Sequence, residues 1–173
     1  MSETTGSGPL VGIVMGSDSD LPVMTDTAKT LKQFSIAFEL EITSAHRSPA
    51  RTAEYARSAR RRGLKAIIVG AGGASHLAGV IAAETTLPVI GVPIANSPLS
   101  GMDSLLSTVQ MPSGVPVATM AVGKAGAVNA AIYAAQIIGT GDPRVAEALV
   151  AFKEELARVV AEKSEKLKRE FAV

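Results

Sequence analysis

Val11-Gly12-Ile13-Val14-Met15-Gly16-Ser17-Asp18-Ser19-Asp20-Leu21-Pro22 runs from an apolar strand-like stretch into a loop of glycine, serine and aspartate. Pro22 then suits the opening turn of a helix, where a missing N–H costs little. The same unit recurs. Phe38-Glu39-Leu40-Glu41-Ile42 leads into Thr43-Ser44-Ala45-His46-Arg47-Ser48-Pro49, and Ala66-Ile67-Ile68-Val69 leads into Gly70-Ala71-Gly72-Gly73-Ala74-Ser75-His76. Short apolar strands alternate with helix-length segments to about residue 140, which predicts an α/β fold: a parallel sheet covered by helices on both faces. Strands are expected near 10–15, 37–42, 65–70, 87–92 and 115–122, and helices over 21–34, 50–62, 76–84, 101–108 and 125–138. Asp20 and Ser48 are the expected N-caps of the first two helices. Gly63, after Arg60-Arg61-Arg62, marks a helix end with its cations set favourably against the dipole.

Beyond Asp142-Pro143 the pattern changes. Val145, Leu149, Phe152, Leu156 and Val159 step by four and three, giving one apolar stripe on a long helix over 143–170. Gly126 to Ile138 is apolar nearly all round, and such a helix is expected to be buried by partner subunits. Residues 1–9 read as a small, polar, flexible tail and not a signal peptide; 10–173 reads as a single domain.

Composition narrows the function. A net charge of +1 offers no electrostatic reason for nucleic acid or an acidic membrane, and 3% aromatics argue against a base-stacking platform. The absence of cysteine removes thiol catalysis and thiolate metal sites. Glu84, Lys124 and Asn129 break the later apolar stretches before they reach the roughly 20 residues of a bilayer span.

If the strands are parallel neighbours, the three loops open together at the carboxyl edge of the sheet, where α/β proteins bind ligands. The first loop offers a helix N-terminus and serine hydroxyls to a phosphate; Asp20 either caps the helix or accepts from ribose hydroxyls. In the second, Ser44 and Arg47 flank His46, pairing a guanidinium and a hydroxyl with an acid–base group. In the third, bare backbone lets a ligand ring lie close. No metal is expected: His46 and His76 have no carboxylate at ligand spacing, and zinc normally needs three or four protein ligands. Ser75 stands where a dinucleotide fingerprint needs its last glycine, Ala125 where a P-loop needs Ser or Thr, and the G-x-S-x-G elbow is missing. Histidine acid–base chemistry on a phosphorylated small molecule, without cofactor, is what remains.

Gly16-Ser17-Asp18-Ser19-Asp20, Ser44-Ala45-His46-Arg47, Gly70-Ala71-Gly72-Gly73-Ala74 and Asp103-to-Pro112 resemble, in order and at matching intervals, the signatures of the PurE family. These are N5-carboxyaminoimidazole ribonucleotide mutases of purine biosynthesis, and the resemblance runs from about Val11 to Ile138. It implies a flavodoxin-like three-layer α/β/α sandwich, a cytoplasmic homo-octamer with sites at subunit junctions, and carboxylate transfer from N5 to C4 without metal, ATP or biotin. It implies His46 as general acid and base, and Ser17, Ser44 and Arg47 on the 5′-phosphate, with Ser19 in the same loop. It puts Asp20 on the ribose, and Ala71, Gly72, Gly73 and His76 on the ring and carboxylate. A transient contact with the enzyme that makes the labile substrate fits the same picture. Leu21 stands where an aromatic is usual, Ala78 for a frequent Pro, and Thr108 for a common Ile.

Two rivals stand beside this reading. One is a direct carboxylase taking aminoimidazole ribonucleotide and CO2. The other is a non-catalytic flavodoxin-like module; strand three ends in Gly70-Ala71-Gly72 and not in the Asp a phospho-receiver needs.

Overall fold

The computed structural model describes residues 8–171, so most of the expected tail lies outside the described residues. Five strands, β1 (Val11–Met15), β2 (Phe38–Ile42), β3 (Ala66–Gly72), β4 (Val89–Ile94) and β5 (Ala118–Thr119), form one sheet in the order β2-β1-β3-β4-β5, all parallel. This is the flavodoxin-like order, which reverses between β1 and β3 and leaves a crevice there at the carboxyl edge. Register brings the loops level: Met15 pairs with Ile42 on one side and Gly70 on the other.

Six α-helices lie among the described residues: α1 (Leu21–Gln33), α2 (Pro49–Ala59), α3 (Leu77–Glu84), α4 (Met102–Val109), α5 (Lys124–Gly139) and α6 (Pro143–Glu170). β1, β3 and β4 are apolar at nearly every position because both faces are covered. On one face Ile13, Met15, Ile68 and Val92 pack with Met24 and Leu31 of α1 and the alanines of α5. On the other, Val14, Ile67 and Val69 meet Ala56 and Ala59 of α2 and Leu77 and Ile81 of α3.

Four expectations are corrected. β5 is two residues long, not the whole of 115–122: beyond it single bonds reach β4, from Met120 N to Gly91 O and from Gly123 N to Pro93 O. α5 is buried within its own chain, its Ala127, Ala130, Ala131, Ala134 and Ala135 fully covered, because side chains this small let α1 and the sheet approach closely. Asp20 makes no side-chain cap to α1; a 3-10 turn over Asp18–Asp20 intervenes, and Ser17 Oγ caps that turn by accepting from Ser19 N at 3.3 Å. Ser48 also makes no side-chain cap to α2. Its hydroxyl turns back, accepting from Ser44 N at 2.9 Å and tying the loop before the helix.

α2 ends at Ala59, short of the expected 62, and Gly63 closes the turn that follows at φ +97°, with Gly63 N donating to Arg60 O and Leu64 N to Ala59 O. That is a Schellman closure, which needs a left-handed residue at its turn. Arg57, Arg61 and Arg62 pair with Glu84, Glu54 and Glu39, so the basic run is a solvated helix end. α6 begins under Asp142, which caps Arg144 N at 3.0 Å. Val145 is buried and Phe152 meets Phe34 edge-on at 5.5 Å, but Leu156 and every later described residue except Val159 are exposed. Among the described residues no helix is long and apolar enough to cross a membrane.

Candidate active site

A cavity of about 280 Å³ opens at the carboxyl edge, in the crevice between β1 and β3. All three loops singled out in the sequence contribute to it: Gly16, Ser17 and Asp20 from the first, Ser44, His46 and Arg47 from the second, Ala71, Gly72 and His76 from the third. Ser19 is exposed, and neither it nor Gly73 lines the cavity. Gly73 serves the turn instead, at φ +58°.

Each loop is tied down by the backbone. Thr43 N donates to Met15 O at 3.0 Å and Gly16 N to Gly70 O at 3.3 Å, so the ladder runs on past the strands and holds the loops together. Within the second loop, Ser48 N reaches Ser44 O and Arg47 N reaches Ser44 Oγ, closing a compact turn that presents His46 and Arg47 outward. The Arg47 guanidinium bends over the first loop and donates to Gly16 O at 3.2 Å. Beside it, a shallower hollow of about 450 Å³ is shared by Ser17, Asp18, Thr43, Ser44 and Arg47. One cation and several hydroxyls suit an anion with several oxygens.

His46 Nε2 lies 2.7 Å from His76 Nδ1, with the rings edge to face. One nitrogen must donate and the other accept, so the two imidazoles share a single proton along this line. Two bases from different loops thus face each other across the cavity. Among the described residues no group of three His, Cys, Asp or Glu stands close enough to hold a metal.

Asp20 is a carboxylate only 2% exposed. Burial pushes its pKa above the ordinary value; backbone N–H groups of Ser17 and Gly16 and the amide of Asn96 pull it down, and nearby Asp18 pushes it up. Asn96 was not singled out in the sequence. It follows Ile94-Ala95 at the end of β4, the same strand-to-polar-loop signal that marked the other three loops. Ser75 and Thr108 were not singled out as partners either. Ser75 sits at φ +45°, and its buried hydroxyl meets Thr108 Oγ1 at 2.9 Å and Ala71 O at 3.2 Å. Ser107 Oγ also bonds Ala74 O, so α4 holds the third loop from below.

The sequence model of the AIR carboxylase family matches residues 10–159. The chain belongs to that family. Among curated members of the AIR carboxylase family, it is 54% identical to the N5-carboxyaminoimidazole ribonucleotide mutase of Pyrococcus horikoshii, over 92% of this chain and 89% of that one. It is 60% identical to a phosphoribosylaminoimidazole carboxylase of Ogataea methanolica, over 80% of this chain but 25% of that longer protein. The crystal structure of Treponema denticola PurE superposes with a TM-score of 0.84 at 30% identity, covering 92% of this chain and 99% of that one.

Proposed function

We propose that the protein converts N5-carboxyaminoimidazole ribonucleotide to 4-carboxyaminoimidazole ribonucleotide, with residues 10–173 acting as one catalytic unit. The reading rests above all on its 54% identity to a relative of that name, which it spans almost end to end. The match to the carboxylase covers a quarter of a longer protein, so the mutase name is the better guide.

The lining of the cavity supports the following roles. Arg47, Ser17 and Ser44 hold the 5′-phosphate, with Ser19 in the same loop as Ser17. Asp20 accepts from ribose hydroxyls. Ala71 and Gly72 let the imidazole ring lie against backbone, Gly73 makes the turn that follows them, and His76 contacts the carboxylate. His46 gives its proton to N5 as the N–CO2 bond breaks, releasing CO2 and neutral aminoimidazole ribonucleotide. C4 then attacks the trapped CO2, and His46 takes the C4 proton back, so the cycle closes with no net proton change. An imidazole suits both halves, since its ordinary pKa of about 6.5 lets it give and take a proton near neutrality. Holding CO2 and acceptor in one cavity replaces a bimolecular encounter. Substrate must displace His76 from His46 Nε2 for that nitrogen to reach N5.

The catalyst is a cytoplasmic homo-octamer with sites at subunit junctions, and it meets the enzyme that makes its labile substrate only transiently. Mixing purified protein with N5-carboxyaminoimidazole ribonucleotide, without ATP or bicarbonate, should give the carboxylated product spectroscopically. Product appearing only from aminoimidazole ribonucleotide plus bicarbonate would replace this reading with direct carboxylation.

A further inference from the structure

A carboxylate taken out of water is costly unless hydrogen bonds replace its lost hydration. At Asp20 the backbone supplies part of that replacement. The side-chain part comes from across the sheet, where Asn96 Nδ2 donates to Asp20 Oδ1 at 3.2 Å. Asn96 reaches it through a gap made by a glycine. Gly72 ends β3 opposite Ile94 of β4, and a Cβ there would collide with the Asn96 amide. No other residue type leaves that space open. Asn96, Gly72 and Asp20 therefore interlock from three loops, and all three line the cavity.

We infer that Asn96 is a positioning residue: lying across the bare α-carbon of Gly72, its amide holds the Asp20 carboxylate toward the cavity as an acceptor for ligand hydroxyls. This rests on the proposed function for the identity of the ligand, a ribonucleotide. The amide acts on the sugar end and leaves the phosphate clamp and His46 untouched. Losing it weakens binding through Asp20 and raises KM far more than it lowers kcat.

Titration separates this role from a merely structural one. Asp18 faces Asp20 from its own loop, and His46, Arg47 and His76 share the cavity from the loops after β2 and β3. Dividing each variant's Kd by the wild-type Kd at the same pH removes the pH dependence that variant and wild type share, including that of the ligand phosphate. Asn96→Ala removes a donor that favours ionised Asp20, so its Kd ratio should widen as pH falls. Asn96→Asp sets a second carboxyl beside Asp20. The pair repels when both are ionised and regains an O–H donor when one proton is shared, so its ratio should narrow as pH falls.

The test is calorimetric binding of 4-carboxyaminoimidazole ribonucleotide to the intact protein between about pH 5.5 and pH 8, for wild type, Asn96→Ala, Asn96→Asp and Asp20→Asn. Near the top of that range Asn96→Asp should bind about ten-fold more weakly or worse, as expected for losing a bond to a charged group. Ratios of opposite slope for the two Asn96 variants support the inference. Ratios that stay flat with pH overturn it, while weak binding by Asp20→Asn would leave the proposed function standing. Wild-type protein that does not bind the ribonucleotide, or Asp20→Asn that binds like wild type, overturns the role of Asp20 and the inference with it.

Discussion

His46, Arg47 and Asp20 share one cavity yet answer to different physics, and single substitutions separate them. His46→Asn keeps a hydrogen-bonding side chain but loses the proton carrier. General acid–base catalysis is worth about 10²- to 10⁴-fold, so turnover should fall by at least that much while product binding survives. His76→Asn should cost less, because its nitrogen opposes His46 and carries no proton in the proposed cycle. A folded His46→Asn protein with near wild-type turnover would sink the mechanism. Arg47→Ala should weaken product binding by about 10- to 150-fold, the loss of one charge-assisted contact; unchanged affinity would remove Arg47 from the site. Asp20 makes a prediction of opposite sign for stability. Its pKa is raised in the folded state, chiefly by burial. Folded protein then binds more protons than unfolded between the ordinary carboxylate value and the raised one, so stability falls as pH climbs through that window. At neutral pH ionised Asp20 is a cost. Asp20→Asn should therefore melt higher than wild type there, and the gap should close as pH drops through the window. A lower melting temperature at neutral pH would show that the hydrogen bonds outweigh the desolvation.

At the scale of elements, α4 controls the loop that carries His76. Thr108 is 1% exposed; its hydroxyl meets Ser75 Oγ and donates to Ser104 O at 2.7 Å. Thr108 thus has a polar partner, and Ser75 gains one in its left-handed turn. Thr108→Val keeps the shape and deletes the bond. Stability should fall by about 1 kcal/mol, with Ser75 still bonded to Ala71 O. Amide exchange at Ala74 to His76 should quicken more than in α5. An unchanged exchange pattern would mean that α4 does not govern this loop.

For the whole molecule, large apolar side chains remain exposed mainly outside α5, on which Tyr133 is 40% exposed. Leu99, Met102, Leu106 and Val109 are about half exposed or more along and before α4, and Leu156, Val160 and Leu167 along α6. α6 spans 28 residues, about 42 Å, far beyond what its own sheet covers. Sedimentation equilibrium at micromolar concentration should find an oligomer, most simply the octamer, and no monomer of 17.7 kDa. Met102→Glu with Leu106→Glu should dissociate it while the monomer keeps its helical signal. A wild-type monomer would end the case for sites shared between subunits.

The chain by itself determined the α/β class, the position of the strands to within one or two residues at β1 and β2, and the three loops that meet at the cavity. The physical reason is local: apolar runs covered on both faces can be strands of a parallel sheet, and each empties at its carboxyl end into polar residues. The site groups His46, Arg47, Asp20 and Gly72 were legible for the same reason. Only the tertiary structure decided the rest. β5 shrank to two residues because an edge strand is set by what remains to pair with, not by its own propensity. α5 turned inward because neighbours distant in the chain came close enough to cover alanines. Asn96, 76 residues from Asp20, and Thr108, 33 residues from Ser75, gained their partners through strand order. Sequence spacing holds no record of such pairs; the order β1-β3-β4 in the sheet creates them.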